Sequence, residues 1–73
     1  MMPLTMANTG EVNLIKKVGG NEKIRRFLES LGFVAGADVT VVAVNHGNVI
    51  VNIKESRVAI SREMANKIMV GNW

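Results

Sequence analysis

From Ile24 to Val41 the chain reads IRRFLESLGFVAGADVTV, and this run dictates how the rest can be arranged. Ile24, Phe27, Leu28 and Leu31 recur at i, i+3, i+4 and i+7, the spacing of one apolar stripe on an α-helix. Arg25, Arg26, Glu29 and Ser30 fall off that stripe, towards water. Asn21 is placed as an N-cap, its side-chain oxygen accepting from an unpaired amide of the first turn. Glu22 lies at the positive end of the helix dipole. Gly32 follows where the chain needs a left-handed residue to leave the helix. Gly36 gives a second turn before Val39 and Val41 open a strand.

With 73 residues the expectation is a single domain spanning 1–73. A core of this size typically leaves a net stability of only ~3–5 kcal/mol. Apolar residues make up 48% of the chain and charged ones 21%, a composition that folds. The aromatics are Phe27, Phe33 and Trp73 alone, so valine and isoleucine must fill the interior.

Before the helix, Met1 to Thr9 is a lead-in in which Pro3 argues against a helix. Leu4 and Met6 would form a short extended edge with one face inward, and Asn8, Thr9 and Gly10 a turn. Glu11 to Val18 reads as the first long strand, Val12 and Leu14 alternating with polar Glu11 and Asn13. Its phase slips at Ile15, which a bulge near Ile15–Lys16 would explain. Gly19-Gly20 then ends it.

After the helix, Asp38 to Val44 is apolar on both parities, as in a strand buried on one face and half covered on the other. Asn45-His46-Gly47-Asn48 reads as a hairpin turn. Val49, Val51 and Ile53 point one way, with Ile50 and Asn52 opposite. Lys54 to Arg57 is a second polar turn, followed by a strand from Val58 to Ile60. Ser61 caps a short helix over Arg62 to Asn66 with Glu63 in its first turn, Ala65 turned inward. Ile68 to Val70 returns as a last strand before Gly71, Asn72 and Trp73. Five short strands and one substantial helix imply a small, curved, partly closed sheet with the helix over one opening, Ile24, Phe27, Leu28 and Leu31 resting on the valines.

Chemistry is harder to find. The absence of cysteine excludes disulfides, thiolate metal sites and cysteine catalysis. No run approaches the ~20 apolar residues of a membrane span, and the N-terminus lacks signal-peptide character; the expected location is cytoplasmic. His46 is the only histidine and has no carboxylate near it in sequence, so a two-histidine iron site is impossible within one chain. The methionines read as core and lead-in residues. Gly19-Gly20 lacks the spacing of a phosphate-binding loop, and no serine has a base in view. The residues therefore predict no enzyme, no catalytic residue, no cofactor and no metal ligand. A net charge of +3 suits an acidic partner. A small nucleic-acid-binding barrel is the alternative; scattered Lys and Arg and scarce aromatics argue against stable nucleic-acid binding.

One resemblance adds to this. LESLGFVAGADVTVV, from Leu28, resembles the L-x-x-L-G-h-x-x-G-x-x-V-x-V signature of the FeoA family, the small cytosolic component of bacterial ferrous iron transport systems. VAISREMANKIMV, Val58 to Val70, is similar to that family's closing pattern, and PLTMANTGE to its opening. The turn near Asn48 lacks the family's frequent proline, and the turn at Glu55–Ser56 its usual glycine. The same pattern occurs as a carboxy-terminal module of iron-dependent repressors, but no DNA-binding helix pair is present here.

The resemblance implies a mainly β fold with one or two short helices, a small SH3-like, partly open β-barrel. In it, Leu28, Leu31, Gly32, Gly36, Val39, Ala65, Ile68 and Val70 define the fold. It further implies an accessory or regulatory role through protein–protein contact with the membrane ferrous iron permease, whose cytosolic part carries a GTP-binding domain. It does not imply iron binding or GTP hydrolysis by this chain, which is expected as a monomer or weakly self-associating. The candidate contact residues are Arg25, Arg26, Phe33 and Val34, Phe33 being otherwise a cap on the core.

Overall fold

A computed structural model describes residues 1–71. Six antiparallel strands form one sheet in the order β1-β6-β2-β3-β4-β5. They are β1 (Met2–Pro3), β2 (Val12–Val18), β3 (Asp38–Asn45), β4 (Asn48–Ile53), β5 (Ser56–Ser61) and β6 (Ile68–Gly71). Helix α1 (Glu22–Ser30) joins β2 to β3, and α2 (Arg62–Ala65) joins β5 to β6. The sheet curls without closing, since β1 and β5 are its two ends and do not pair. The exit through Asn72 and Trp73 lies outside the described residues.

The core is aliphatic, as the composition requires: Leu4, Ile15, Leu28, Val39, Val41, Val49, Val51, Ile53, Ile60, Ala65, Ile68 and Val70 surround one aromatic, Phe33. Both hairpins have two-residue loops, Asn45 pairing with Asn48 and Ile53 with Ser56. The expected alternation holds in β4, where Val49, Val51 and Ile53 are buried while Asn52 is exposed. The caps hold too: Asn21 Oδ1 accepts from the Ile24 amide at 2.8 Å, and Ser61 Oγ from the Met64 amide at 3.2 Å.

Three expectations are corrected. In β2 the inward positions are Asn13 and Ile15, whereas Val12 is 48% exposed. Register explains it: Asn13 lies opposite Val39, and Val39 opposite Ile53, and residues directly opposite in an antiparallel ladder share a face. The bulge falls where the phase slip put it, between Ile15 and Lys17. In the lead-in, Leu4–Met6 is a 3-10 turn rather than an extended edge, with Leu4 buried and Met6 exposed. Pro3 at φ −63° is its N-cap residue; a ring that fixes φ near that value is compatible with a helix start. The sheet also has six strands rather than five, because Met2–Pro3 pairs with Val70 and Met69.

Candidate interaction surface

Helix α1 carries two of the four residues that the sequence marks for contact, Arg25 and Arg26, and Phe33 and Val34 follow it. Successive helical residues turn about 100°, so the stripe from Phe27 through Leu31 and Ile24 to Leu28 spans about that angle. Only Leu28 is fully buried; Ile24 and Leu31 are half-buried and Phe27 stands 47% exposed on the shoulder. The expectation that all four rest on the valines is thus corrected. The helix is seated on one edge of its stripe, and its aromatic is left towards solvent.

What seats it is the chain reversal behind it. The Phe33 amide donates to the Leu28 carbonyl at 3.0 Å, and the Gly32 amide to the Glu29 carbonyl at 3.0 Å. This 6→1 and 5→2 pair is a Schellman motif, in which the residue after the glycine packs back on the last turn. Gly32 has φ +106°, a conformation that glycine adopts freely. The motif carries Phe33 inward beside Leu28, and both are fully buried. Phe33 therefore caps the core and offers no surface in this conformation.

The remaining contact candidates do not form one cluster. Arg25 donates from Nη2 to Glu22 Oε2 at 2.6 Å, and Arg26 from Nε to Glu22 Oε1 at 3.1 Å. Both guanidinium groups converge on one carboxylate, on the side of the helix turned away from Phe27. Exposed pairs of this kind contribute at most about 1 kcal/mol; their effect is on where positive charge sits. Val34 is half-buried and begins the turn Val34–Ala37, closed by the Ala37 amide on the Val34 carbonyl at 3.1 Å. That turn is pinned to β2 by the Gly36 amide on Ile15 O and the Ile15 amide on Ala37 O, each 2.8 Å.

The exposed aromatic on this helix is Phe27, which is not among the sequence-marked contact residues, with Lys23 one helical turn before it. The signal was present: a glycine stop followed by an apolar residue predicts that Phe33 folds back, which leaves Phe27 as the surface aromatic.

Elsewhere the outer face of β2, β3 and β4 holds an open depression of about 430 Å³, lined by Val12, Asp38, Thr40, Asn52, Lys54 and Glu55 among others. Its two carboxylates have no third acid or histidine beside them. Among the described residues, no three His, Asp or Glu side chains converge as a group able to hold a metal ion. His46 is exposed in the β3–β4 loop. Among the described residues no helix is long and apolar enough to cross a membrane.

Comparison with known proteins places this arrangement. Residues 2–72 match the FeoA domain family. An Fe(2+) transport protein A of Methanocaldococcus jannaschii is 37% identical over 70 residues, covering 96% of this chain and 85% of that one. A crystal structure of an iron uptake regulatory protein (FeoA) superposes with a TM-score of 0.87 at 27% identity, over 96% of this chain and 93% of that one. Stenotrophomonas maltophilia FeoA, crystallised with zinc and described as a prokaryotic SH3 domain protein, gives 0.84 at 27% identity, over 97% and 91%.

The residues that the family signature marks as fold-defining sit accordingly. Leu28, Val39, Ala65, Ile68 and Val70 are buried, and Leu31 is half-buried at the end of α1. Gly32 and Gly36 hold positive φ.

Proposed function

Because the chain belongs to the FeoA family of ferrous iron transport proteins, we propose that it is a cytoplasmic accessory protein of ferrous iron uptake. It acts by docking on the cytosolic GTP-binding domain of the membrane ferrous iron permease, and it has no turnover of its own. The Stenotrophomonas relative has been put forward as a ferrous iron transport activating factor, which is in keeping with this role.

The observation that carries the surface is Phe27. A chain with two phenylalanines buries one completely and leaves the other half out of the core on a capped helix. Lys23 adjoins it, and Arg25 and Arg26 put further positive charge on the same helix. An aromatic anchor beside Lys23, with the two arginines paired to Glu22 on the far side of the helix, suits an acidic protein surface that has an apolar pocket. Val34 and Leu31, both half-buried, extend the apolar part towards the end of the helix. A nucleic-acid role has less behind it, since Phe27 is the one exposed aromatic among the described residues and stacking platforms need several.

The test is a titration of fluorescently labelled protein against the purified cytosolic domain of the cognate permease. It is run with and without guanine nucleotide and at two salt concentrations. Saturable binding that weakens on Phe27→Ala and on Arg26→Glu, with the fold intact, is the expected outcome. Binding indifferent to Phe27→Ala moves the surface elsewhere. No binding in any nucleotide state overturns the docking role.

A further inference from the structure

The two ends of the sheet are unequal. The β1 end is two residues long and contains Pro3, which has no amide to donate, so it is blunted as natural edges usually are. The β5 end is six residues long, has no proline, and pairs with β4 through six consecutive positions without a bulge. By contrast, the β2–β6 and β3–β4 ladders both shift register.

Hairpin geometry says which backbone groups β5 turns outward. Ile53 and Ser56 close a two-residue loop, and the pair closing such a loop exchanges both hydrogen bonds. Alternation then makes Val51–Val58 and Val49–Ile60 the next bonded pairs. Arg57 and Ala59, lying between them, direct both N–H and C=O away from β4. The Arg62 amide, donating to Gly47 O at 3.0 Å, fits the same phase and places Ser61 outward as well. Arg57 and Ala59 are exposed, and among the described residues their backbone groups have no partner outside the ladder.

We infer that β5 is a self-pairing edge: two copies of this chain join β5 to β5, antiparallel, about a two-fold axis through Ala59. The sequence SRVAIS is self-complementary in that register. Ala59 faces Ala59 of the second copy, where small side chains permit close approach. Val58, half-buried here, lies opposite Ile60 of the second copy, a β-branched pair on the inner face. Arg57 lies opposite Ser61 of the second copy.

Arg57 is also out of the way. Its Nε donates to Asn52 Oδ1 at 3.3 Å, which lays the side chain over β4. The alternative register, centred on Val58, sets the two Arg57 side chains diagonally at about 7–8 Å and is disfavoured by like charge. The blunt β1 end gives β5 no second long edge to meet, so the contact is isologous and closes at two copies rather than growing into a filament. An interface of one strand pair is small, and the dimer is accordingly concentration-dependent.

The absence of cysteine makes the test direct. Ala59→Cys introduces a single thiol at the axis. Bonded antiparallel neighbours lie about 5.5 Å apart at Cα, inside the range a disulfide spans. In a glutathione buffer this variant should form covalent dimer several-fold faster than Ala35→Cys, an exposed control in the turn after α1. Ala59→Pro removes an outward N–H that the β4 ladder does not use, and should abolish the concentration-dependent mass increase of the wild type in sedimentation. Independently of any variant, the Arg57 and Ala59 amides of the wild type should exchange more slowly at high than at low protein concentration. Equal crosslinking of the two cysteine variants overturns the proposal. So does a wild type that stays at 7.9 kDa throughout, or Arg57 and Ala59 amides whose exchange ignores concentration.

Discussion

Helix α1 and the β3–β4–β5 meander carry equally regular apolar patterns, and the fold uses them differently. In the meander, Val39, Val41, Val49, Val51 and Ile53 alternate along the chain and every one is buried. In α1 and its C-cap, Ile24, Phe27, Leu28 and Leu31 recur at helical spacing, and one of the four is buried. Ladder pairing accounts for the difference. β3 is held by β2 and β4, and β4 by β3 and β5, and a slip of one residue would turn a whole apolar set outward. A helix at the rim of a small sheet has no ladder to fix its roll. Its seating is decided at its ends, by Asn21 at the start and by the Gly32–Phe33 reversal at the finish.

The strongest way to break this comparison is to remove the anchor at the finish. Phe33→Ala is expected to cost about 3–5 kcal/mol, as for other fully buried aromatics. That approaches the whole net stability of ~3–5 kcal/mol typical of a domain this size, so the variant should be largely unfolded at 25 °C by urea titration. A wild-type midpoint would mean that the helix is seated by something other than the Schellman contact. Next is the glycine. Gly32→Ala finds its nearest foreign atom, Lys54 Cδ, at 3.4 Å, which is ordinary contact, so the cost is set by the backbone. At φ +106° that is about 1–3 kcal/mol, readable as a lowered Tm.

The meander has its own weak point, and it sharpens the comparison from the other side. The β4–β5 loop places Lys54 at φ +47° and Glu55 at φ +65°, although neither is glycine. A side chain in this region costs about 1–2 kcal/mol, partly offset by the extra freedom that glycine has when unfolded. Glu55→Gly should therefore stabilise by about 0.5–1 kcal/mol. Loss of stability instead would show that the Glu55 side chain contributes to the fold through contacts.

These magnitudes follow what was legible. Caps, hairpin loops and the β2 bulge were readable because each rests on two or three neighbouring residues: Asn21 and Ile24, Asn45 and Asn48, Ile15 and Lys17. The inward face of β2 was not, because it depends on Asn13 meeting Val39 across the ladder. Burying an asparagine there runs against the alternation of Val12 and Leu14. Its Oδ1 has no hydrogen-bond partner among the described residues, so composition gave no hint of its place. For the contact surface, Arg25 and Arg26 were legible as exposed charges, but their convergence on Glu22 and the exchange of roles between Phe33 and Phe27 depend on how the helix rolls. The free edge of β5 was hidden for a related reason: from sequence the strand reads as Val58–Ile60, and only the ladder with β4 extends it to Ser56–Ser61.

The smallest expected change in stability tests the roll itself. Phe27→Ala removes an aromatic that is already half in water, so the burial it gives up is partial and no cavity forms in the core; the loss should stay within about 1 kcal/mol. Measured beside Phe33→Ala in the same urea titration, the two variants separate by several kcal/mol if α1 is rolled as described, and converge if Phe27 packs as its spacing alone predicts. The pair also divides two kinds of conservative design. Selection for folding accounts for Phe33, whereas folding gives little reason for a phenylalanine rather than a lysine at position 27. A variant that keeps its midpoint and loses affinity for the proposed partner, the cytosolic domain of the ferrous iron permease, would assign that aromatic to recognition. One that keeps both would leave the exposed shoulder of α1 without a role in this interaction.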